Sequence, residues 1–523
     1  MLLKILIIYF IFLNWFVLSL GQLKNYNDNS ITLIVDPFSN KNINFYKSGE
    51  KCGDTHNRCK SINDAILYFN TIAIATPNNN KLSYQQLNLQ LADGIYSTTE
   101  YSFNLFEFNI NIEPFNKNSK KVVFDGSNSS NKNNNNNALF YVEPVSNTTS
   151  LPFKKRTINS ATTSILSSIS ISDITFISFS NTIIKIDNRN DDSYNIININ
   201  NCVFKNFTSS PQKIEKYGSP IIYLQSSSSP SSFLEQNQTQ KQQLNINNSV
   251  FKSSNLFTSL WKTRLIHIEN TKSLMNNNVF HNLNGLKSLS NLIYSRFNSD
   301  ITINSNQFHD IVTYNGLINS DNSMIKIINS NFRSIIGNNF GSVLYFTTSS
   351  TFPSFTFFIE NCNFWNCTSL YSSGVINAVG INNNNNDNDK NKIIDCSFFN
   401  NKGPDSSILS CQTIDITIQY SKLISTNSHG GTFLIYTSNL FVQNNYIQDE
   451  INDDSIVDSG RIQTMGKANL TMSSNNFGND LNHKFKFSCD DSIINLQNSQ
   501  DLIPSFICNQ CLDFTINNNN SIC

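Results

Sequence analysis

The sequence predicts an all-β fold, a right-handed parallel β-helix. Three observations predict it: one ten-residue frame recurs along the chain, its apolar residues alternate with period two, and its copies are spaced like β-helix coils. The clearest copy is ININNCVFKN, from Ile197 to Asn206. A solenoid also explains how 523 residues fold without several separate cores, because each coil contacts only its neighbours.

Each copy of the frame is numbered from its phenylalanine, called position zero. Apolar residues lie at minus seven and minus five, and Asn is common at minus three. Successive zero positions are 24 to 34 residues apart, except for one interval of 47 that carries the Ser- and Gln-rich insertion at 226–243. Such intervals suit one coil of three short strands and three turns. The eleven zero positions are Phe176, Phe204, Phe251, Phe280, Phe308, Phe332, Phe364, Phe398, Leu423, Ile447 and Phe477.

A second apolar segment follows zero by about ten residues in many coils, for example at 221–223, 343–345 and 433–435. Two regularly spaced strands per coil are what a parallel β-helix needs. Helical repeats of similar length fit poorly, because these windows are rich in β-branched and aromatic residues and poor in Ala, Leu and Glu.

The N-terminus has the anatomy of a secretory signal peptide. Lys4 precedes an apolar run at 5–18, and the small residues Ser19 and Gly21 lie at the expected cleavage site. The alternative is an uncleaved anchor helix, which is disfavoured because the apolar run is short for a membrane span, and no later stretch is apolar enough to be one. We therefore expect a secreted, extracellular protein with no membrane span after cleavage.

Composition excludes one class of partner. The chain carries 37 basic and 37 acidic residues, and no basic run or stripe is apparent. Nucleic-acid binding therefore has no electrostatic basis. Asn-rich runs at 133–137 and 382–386 cannot bury apolar surface, so they are predicted to be surface loops.

A short amphipathic helix is predicted near the N-terminus. Ser61 is a suitable N-cap, and Ile62, Ala65, Ile66 and Phe69 have helical spacing. We expect this helix to cover the apolar end of the first coil. Strand-like segments follow and end at Asp-Gly turns, in LADGIY at 91–96 and KVVFDG at 121–126.

This order, KSINDAI at 60–66 followed by LADGIY and KVVFDG, resembles the N-terminal region of the pectin-lyase-like superfamily of right-handed parallel β-helices. The resemblance extends through the repeats to about residue 479. These motifs are generic to the fold, so the resemblance implies the architecture and no particular enzyme.

The chain is predicted to divide into a signal peptide at 1–21, an N-terminal strand and capping helix at 22–75, the β-helix with its loop insertions at 76–480, and a Cys-containing C-terminal cap at 481–523. Eleven cysteines suit an oxidising compartment. Cys52 and Cys59 are candidates for a local disulfide. The C-terminal disulfide candidates are Cys489, Cys508, Cys511 and Cys523.

Two columns of the frame are interpreted as structural. Asn at minus three is predicted to turn the chain between strands, since Asn tolerates left-handed backbone angles and its amide can hydrogen-bond to neighbouring coils. Cys202, Cys362 and Cys396 share position minus two, and the last two belong to successive coils. The sequence leaves open whether these cysteines form a disulfide or remain thiols.

Several Asn-X-Ser/Thr sequons fit a secreted glycoprotein, in which such sites lie on the surface. The glycosylation candidates are Asn128, Asn147, Asn237, Asn366 and Asn469.

Catalytic candidates come from one local resemblance. SHGG at 428–431 and RIQ at 461–463 are similar to the His-Gly and Arg-Ile elements of polygalacturonase-type glycosidases. His429 lies six residues past its zero position and Arg461 fourteen past its own, so the frame predicts different faces. Glycoside hydrolysis also needs two carboxylates at a controlled separation, and Asp405 is single. The catalytic candidates are thus His429, Arg461 and Asp405, and the pattern favours a protein without catalysis.

No cofactor is predicted. An acidic group at 449–454 offers oxygen ligands of the kind that Ca²⁺ prefers, but such a group is more often a solvated turn. His281 and His309 lie one residue past zero in successive coils, where they could stack outward.

Together these observations favour a secreted, non-catalytic β-helix protein that contacts a polysaccharide or cell-surface glycan, or an extracellular matrix. One alternative is a polysaccharide hydrolase or lyase of the pectin-degrading type with a divergent site. Another is a purely structural extracellular rod. The preference rests on fold and composition.

Overall fold

A computed structural model describes the chain in segments, which together form one α-helix and 45 strands in three sheets, named A, B and C. The described residues are 30–39, 52–74, 86–97, 103–104, 109–117, 121–127, 138–142, 166–179, 182–188, 194–207, 220–226, 242–254, 264–285, 290–348, 356–380, 391–425, 431–449, 462–477, 485–498, 504–516 and 519–520.

Sheet A has 17 strands and contains minus seven to minus four of the frame. Its pairings are parallel, apart from the antiparallel pair at the C-terminus. The strands are β1 Ser30–Val35, β2 Gln86–Leu91, β5 Asn109–Pro114, β8 Leu166–Ser172, β11 Tyr194–Asn200, β14 Gln242–Asn247, β17 Thr271–Asn276, β20 Asp300–Asn304, β23 Met324–Ile328, β26 Phe357–Glu360, β30 Asn391–Ile394, β33 Ile416–Gln419, β36 Asn439–Gln443, β39 Asn469–Ser473, β42 Ile493–Gln497, β44 Asp513–Ile516 and β45 Asn519–Asn520.

Sheet B has 14 strands and contains the zero positions. The strands are β3 Gly94–Ser97, β6 Val122–Asp125, β9 Thr175–Ile177, β12 Val203–Lys205, β15 Val250–Lys252, β18 Val279–Asn284, β21 Gln307–Thr313, β24 Asn331–Gly337, β27 Asn363–Trp365, β28 Thr368–Ser369, β31 Ser397–Asn401, β34 Lys422–Ser425, β37 Tyr446–Asp449 and β40 Asn476–Phe477.

Sheet C has 14 strands and contains the second apolar segment of each coil. The strands are β4 Phe103–Asn104, β7 Ala138–Val142, β10 Thr182–Asn188, β13 Ile222–Ser226, β16 Arg264–Glu269, β19 Asn291–Arg296, β22 Ile318–Asp321, β25 Leu344–Thr347, β29 Ile376–Val379, β32 Leu409–Gln412, β35 Phe433–Tyr436, β38 Ile462–Met465, β41 Phe485–Asp490 and β43 Pro504–Gln510.

Each regular coil therefore contributes one strand to sheet A, then B, then C, and each strand pairs in parallel with its equivalent in the next coil. The predicted all-β parallel β-helix is confirmed. Strands β41 to β44 continue sheets C and A beyond residue 480, so the disulfide-bearing C-terminal segment extends the solenoid.

The predicted helix is α1, Ile62–Ile74, which contacts β1 and β2. The Ser61 hydroxyl accepts from the Asp64 amide at 3.1 Å, and the Asp64 carboxylate accepts from the Ser61 amide at 3.0 Å. This reciprocal cap satisfies two amides that the helix leaves unpaired. Ile62, Ala65 and Phe69 are buried, as their spacing predicts.

Disulfides join Cys52 to Cys59 and Cys489 to Cys511. The Cys508 side chain and Cys523 lie outside what the structure describes, as do the predicted signal peptide and the Asn-rich runs at 133–137 and 382–386. The described cysteines without a disulfide are all buried thiols: Cys202, Cys362, Cys367, Cys396 and Cys411.

The zero phenylalanines from Phe176 to Phe398 form one stack inside the solenoid, which Phe124 on β6 continues towards the N-terminus. From Phe124 to Phe398, successive ring centroids lie 4.5 to 5.4 Å apart, and their planes are close to parallel. Tyr96 extends the stack by one ring towards the N-terminus. Burying each ring contributes about 1.5–3 kcal/mol, so this column holds neighbouring coils in register.

Position minus three has a left-handed backbone in all eleven copies, with φ between 50° and 57°. The prediction that this column turns the chain between sheets A and B is confirmed. Most of its side chains are exposed, and Asn361 donates to Asn329 Oδ1 in the coil before it at 2.7 Å.

Position minus two forms a buried hydrogen-bond ladder, of which only the cysteines stand out in the sequence. The Asn306 amide side chain donates to Met275 O in the previous coil at 2.7 Å and to Asn304 O at 3.1 Å. The Cys396 thiol contacts the two equivalent carbonyls, at 3.8 and 3.2 Å. The cysteines in this column therefore serve as small hydrogen-bonding residues in the interior, like the Asn and Ser that occupy it elsewhere.

Candidate functional site

The predicted catalytic residues are not brought together by anything that the structure describes. His429 and Arg461 lie outside the described residues, and Asp405 is half-buried between β31 and β32. Most of the acidic group at 449–454 also lies outside them. Among the described residues, no three His, Cys, Asp or Glu side chains are grouped to hold a metal ion.

Two glycosylation candidates are described. Asn366 lies in the turn after β27, where its Oδ1 accepts from Asn400 Nδ2 at 2.5 Å. Asn469 begins β39 and is half-buried. Asn128, Asn147 and Asn237 lie outside the described residues.

A continuous column of basic and aromatic residues runs along the outer face of sheet B at position plus one. Because side chains alternate along a strand, this position faces away from the buried phenylalanine at zero. Each member pairs with its equivalent in the next coil, about 4.8 Å away. This column, the sheet B strip, consists of Lys205, Lys252, His281, His309, Arg333, Trp365 and Phe399.

The C-terminal half of the strip is an exposed aromatic platform. Trp365 is 48% exposed and Phe399 is 38% exposed. Their rings meet edge to face, with centroids 5.6 Å apart. The Arg333 guanidinium carbon lies 5.3 Å from the Trp365 ring centroid, within the range of a cation–π contact.

Side-chain amides border this platform on both sides. Asn363 Nδ2 donates to Asn331 Oδ1 at 2.8 Å on one side, and the Asn400–Asn366 bond lies on the other. Each amide has more donors and acceptors than these bonds use. The platform therefore combines apolar ring faces with nearby groups that can bind hydroxyls.

The centre of the strip is a histidine pair. The His281 and His309 rings stack at 5.0 Å between centroids and 15° between planes. His309 Nδ1 lies 3.0 Å from Asp310 Oδ2. Partial burial, His309 and Lys252 lower the pKa of His281, against the opposing charge of Asp310.

A second charged group lies on sheet C. It is called the sheet C cluster and consists of Arg264, His267, Glu269, Tyr294, Arg296 and Asp321. Glu269, Arg296 and Asp321 occupy equivalent positions in three successive coils, and the carboxylate and guanidinium of the first two lie 3.7 Å apart. His267 Nε2 lies 2.9 Å from Glu269 Oε1, and the Arg264 guanidinium carbon lies 3.2 Å from the Tyr294 ring centroid.

Burial controls ionisation in the sheet C cluster. Burial opposes ionisation of Glu269, but the His267 hydrogen bond and the two arginines outweigh it, so the pKa of Glu269 is lowered. Burial also lowers the pKa of His267, which favours a neutral imidazole that donates to the carboxylate. Burial raises the pKa of Asp321, against the charge of Arg296. His267 and Glu269 are each only 5% exposed, whereas Arg296 and Asp321 are half-buried, and the two carboxylates of the cluster offset its two guanidinium groups.

Sequence reasoning singled out only His281 and His309 from these two groups. The remaining strip residues could have been found by reading position plus one down the frame, since no insertion separates it from zero. The sheet C cluster could not have been found in this way. Insertions of different length lie between the sheet B strand and the sheet C strand of each coil, so the frame does not give the register of sheet C.

No known protein family and no curated protein matches the sequence. Solved structures similar to the chain include the crystal structure of PfbA, a surface adhesin of Streptococcus pneumoniae, at 14% identity and a TM-score of 0.34, over 87% of this chain and 88% of that one. Within the part of the chain that the structure describes, no helix is long and apolar enough to cross a membrane.

Proposed function

We propose that this protein is a secreted, non-catalytic β-helix that binds glycans of a polysaccharide, matrix or cell surface through the sheet B strip. The observation that carries the proposal is the exposed pair of Trp365 and Phe399 beside Arg333. Secretion is supported by the signal-peptide pattern and by two disulfides, which are typical of oxidising compartments.

The chemistry of the platform suits sugars. An aromatic ring covers the apolar face of a pyranose, while neighbouring amides and a guanidinium bind its hydroxyls. Exposed aromatic groups with a polar rim are typical of interaction sites. Coils repeat about every 4.8 Å, so the strip offers similar contacts to successive units of an extended chain.

Binding is favoured over catalysis because no side chain of the strip is a carboxylate, whereas glycoside hydrolysis requires two at a set distance. The enzyme alternative makes a separate prediction. The purified protein would release reducing or unsaturated ends from pectin or polygalacturonate, and His429→Ala or Arg461→Ala would abolish the release. Such a result would contradict a non-catalytic role.

A glycan array tests the proposal directly. We expect the wild-type protein to be retained and Trp365→Ala to lose retention by about 10- to 100-fold, the effect of removing a central aromatic anchor. Tyr436→Ala is the matched control, since Tyr436 is 44% exposed but lies on sheet C. Absence of retention on every glycan would favour the structural rod, and equal retention of Trp365→Ala would place binding elsewhere.

A further inference from the structure

The basic half of the sheet B strip brings like charges together. Lys205 pairs with Lys252, Lys252 with His281, and His309 with Arg333. Like charges directly opposite each other on a sheet are destabilising. Among the residues that the structure describes, Lys205, Lys252 and Arg333 form no ion pair. This half of the strip therefore has an uncompensated positive charge.

The minus-one side of the basic half of the strip is lined by neutral residues. On the minus-one side of the same strands lie Val203, Val250, Val279, Gln307 and Asn331. Among the described residues, the Asp310 carboxylate contacts His309 and opposes the positive charges that act on His281. A negatively charged ligand would thus meet a column with three fixed positive charges and two residues that can become positive.

The histidines occupy the middle of this column. When both are neutral, they interrupt the charge between Lys252 and Arg333. When both are protonated, five successive coils present a positive group about every 4.8 Å, of which the one at His309 is partly offset by Asp310. The groups that face the pair are Lys252 on β15, Asp310 on β21 and Arg333 on β24. A polyanion bound along the strip would favour protonation of both rings.

We propose that the ligand of the sheet B strip is an anionic glycan, bearing carboxylate or sulfate groups, which lies along the strip and binds more tightly as the pH falls through the histidine range. The basic half binds the charged groups and the Trp365 platform binds sugar rings. This inference rests on the proposed function and specifies its ligand class and its regulation.

The test measures affinity for three polymers: dextran sulfate, polygalacturonate and neutral dextran. Dextran sulfate is the main probe, because its sulfates stay ionised between about pH 7.5 and about pH 5, so that only the protein titrates. At fixed ionic strength, we expect the affinity of the wild-type protein for dextran sulfate to rise about three- to tenfold from about pH 7.5 to about pH 5. At either pH, we expect added salt to lower this affinity. The affinities for polygalacturonate and dextran sulfate are then compared. Tighter binding of the first would assign carboxylate as the charged group of the ligand, and tighter binding of the second would assign sulfate.

The variants separate the charges from the platform. His281→Gln/His309→Gln is expected to remove the pH dependence, while His56→Gln, an exposed histidine away from the strip, is expected to retain it. Lys252→Gln is expected to weaken binding at every pH, and Lys326→Gln on sheet A to leave it unchanged. Unchanged thermal midpoints would show that each variant is folded.

The outcomes distinguish the two proposals. Equal, salt-independent binding of dextran and the polyanions would overturn an anionic ligand and leave glycan binding intact. Persistent pH dependence in the double histidine variant would overturn the role of the pair. Binding of none of the polymers or array glycans would overturn both the proposed function and this inference.

Discussion

The outer faces of sheets B and C bear charges on the same lattice and use them differently. On sheet C, Glu269, Arg296 and Asp321 alternate in sign through three coils, with Glu269 buried and the other two half-buried. On sheet B, Lys205 and Lys252 are adjacent, with the same sign, and are half-exposed. The coil spacing brings charges about 4.8 Å apart in both places. The order of signs therefore separates a network whose charges offset one another from a surface that can bind a charged ligand.

The comparison also shows what a parallel solenoid does to single residues. The residues at one position of the frame form a column along the solenoid. The residue type at that position in successive coils therefore decides whether the column is uniform or alternates in charge. Opposite charges in a column satisfy one another, whereas like charges or aromatic rings in a column form an extended surface. A long ligand with its own repeat is the natural partner of such a surface.

The largest expected effect is on sheet C. Glu269→Ala would leave the buried His267 without its hydrogen-bond partner and would remove one of the two carboxylates beside Arg296, so it should lower the free energy of unfolding by about 1–3 kcal/mol. Glu360→Ala, on sheet A, is the matched control and should change the free energy of unfolding little. Because the pKa of Glu269 is lowered from its ordinary 4.5, the contribution is present above that pH and is lost as the pH falls through the lower folded-state pKa. Denaturation at neutral and acid pH measures both effects.

The second substitution gives the sheet B strip the alternating charges of sheet C. It is expected to have a smaller effect on stability and a large effect on binding. Lys252→Glu would place a negative charge between Lys205 and His281, giving alternating signs. We expect stability to rise by roughly 0.2–1 kcal/mol and affinity for dextran sulfate to fall at least about tenfold. Lys326→Glu on sheet A controls for net charge. Lower stability with unchanged affinity would contradict the comparison.

The smallest effect concerns His281. Its pKa is lowered by burial, His309 and Lys252, so the unfolded chain takes up its proton first as the pH falls. The free energy of unfolding of the wild-type protein should therefore fall by roughly 0.2–1 kcal/mol as the pH drops below about 6.5. This magnitude is the one typical of exposed charge pairs. The free energy of unfolding of His281→Gln should fall less over the same pH range, and that of His56→Gln should fall as much as that of the wild type. Thermal midpoints across this pH range distinguish them.

Much of the fold follows from the frame, because minus seven to plus one is a rigid unit without insertions. The Ile columns, the Phe stack and the turn at minus three could all be predicted. The ladder at minus two was only partly predicted, since Asn, Ser and Cys look unrelated until their shared carbonyl partners are known. The sheet C cluster was not predicted, because its register depends on insertions whose lengths differ between coils.

Intrinsic fluorescence tests the central claim most directly. The chain has three tryptophans, of which Trp15 lies in the predicted signal peptide. In a secreted Trp261→Phe variant, Trp365 is then the remaining tryptophan, and its emission is excited selectively over that of the tyrosines. Titration with an anionic glycan should shift its emission to the blue and protect it from a soluble quencher, more strongly at about pH 5 than at about pH 7.5. Tight glycan binding that leaves Trp365 fully open to the quencher would contradict the account.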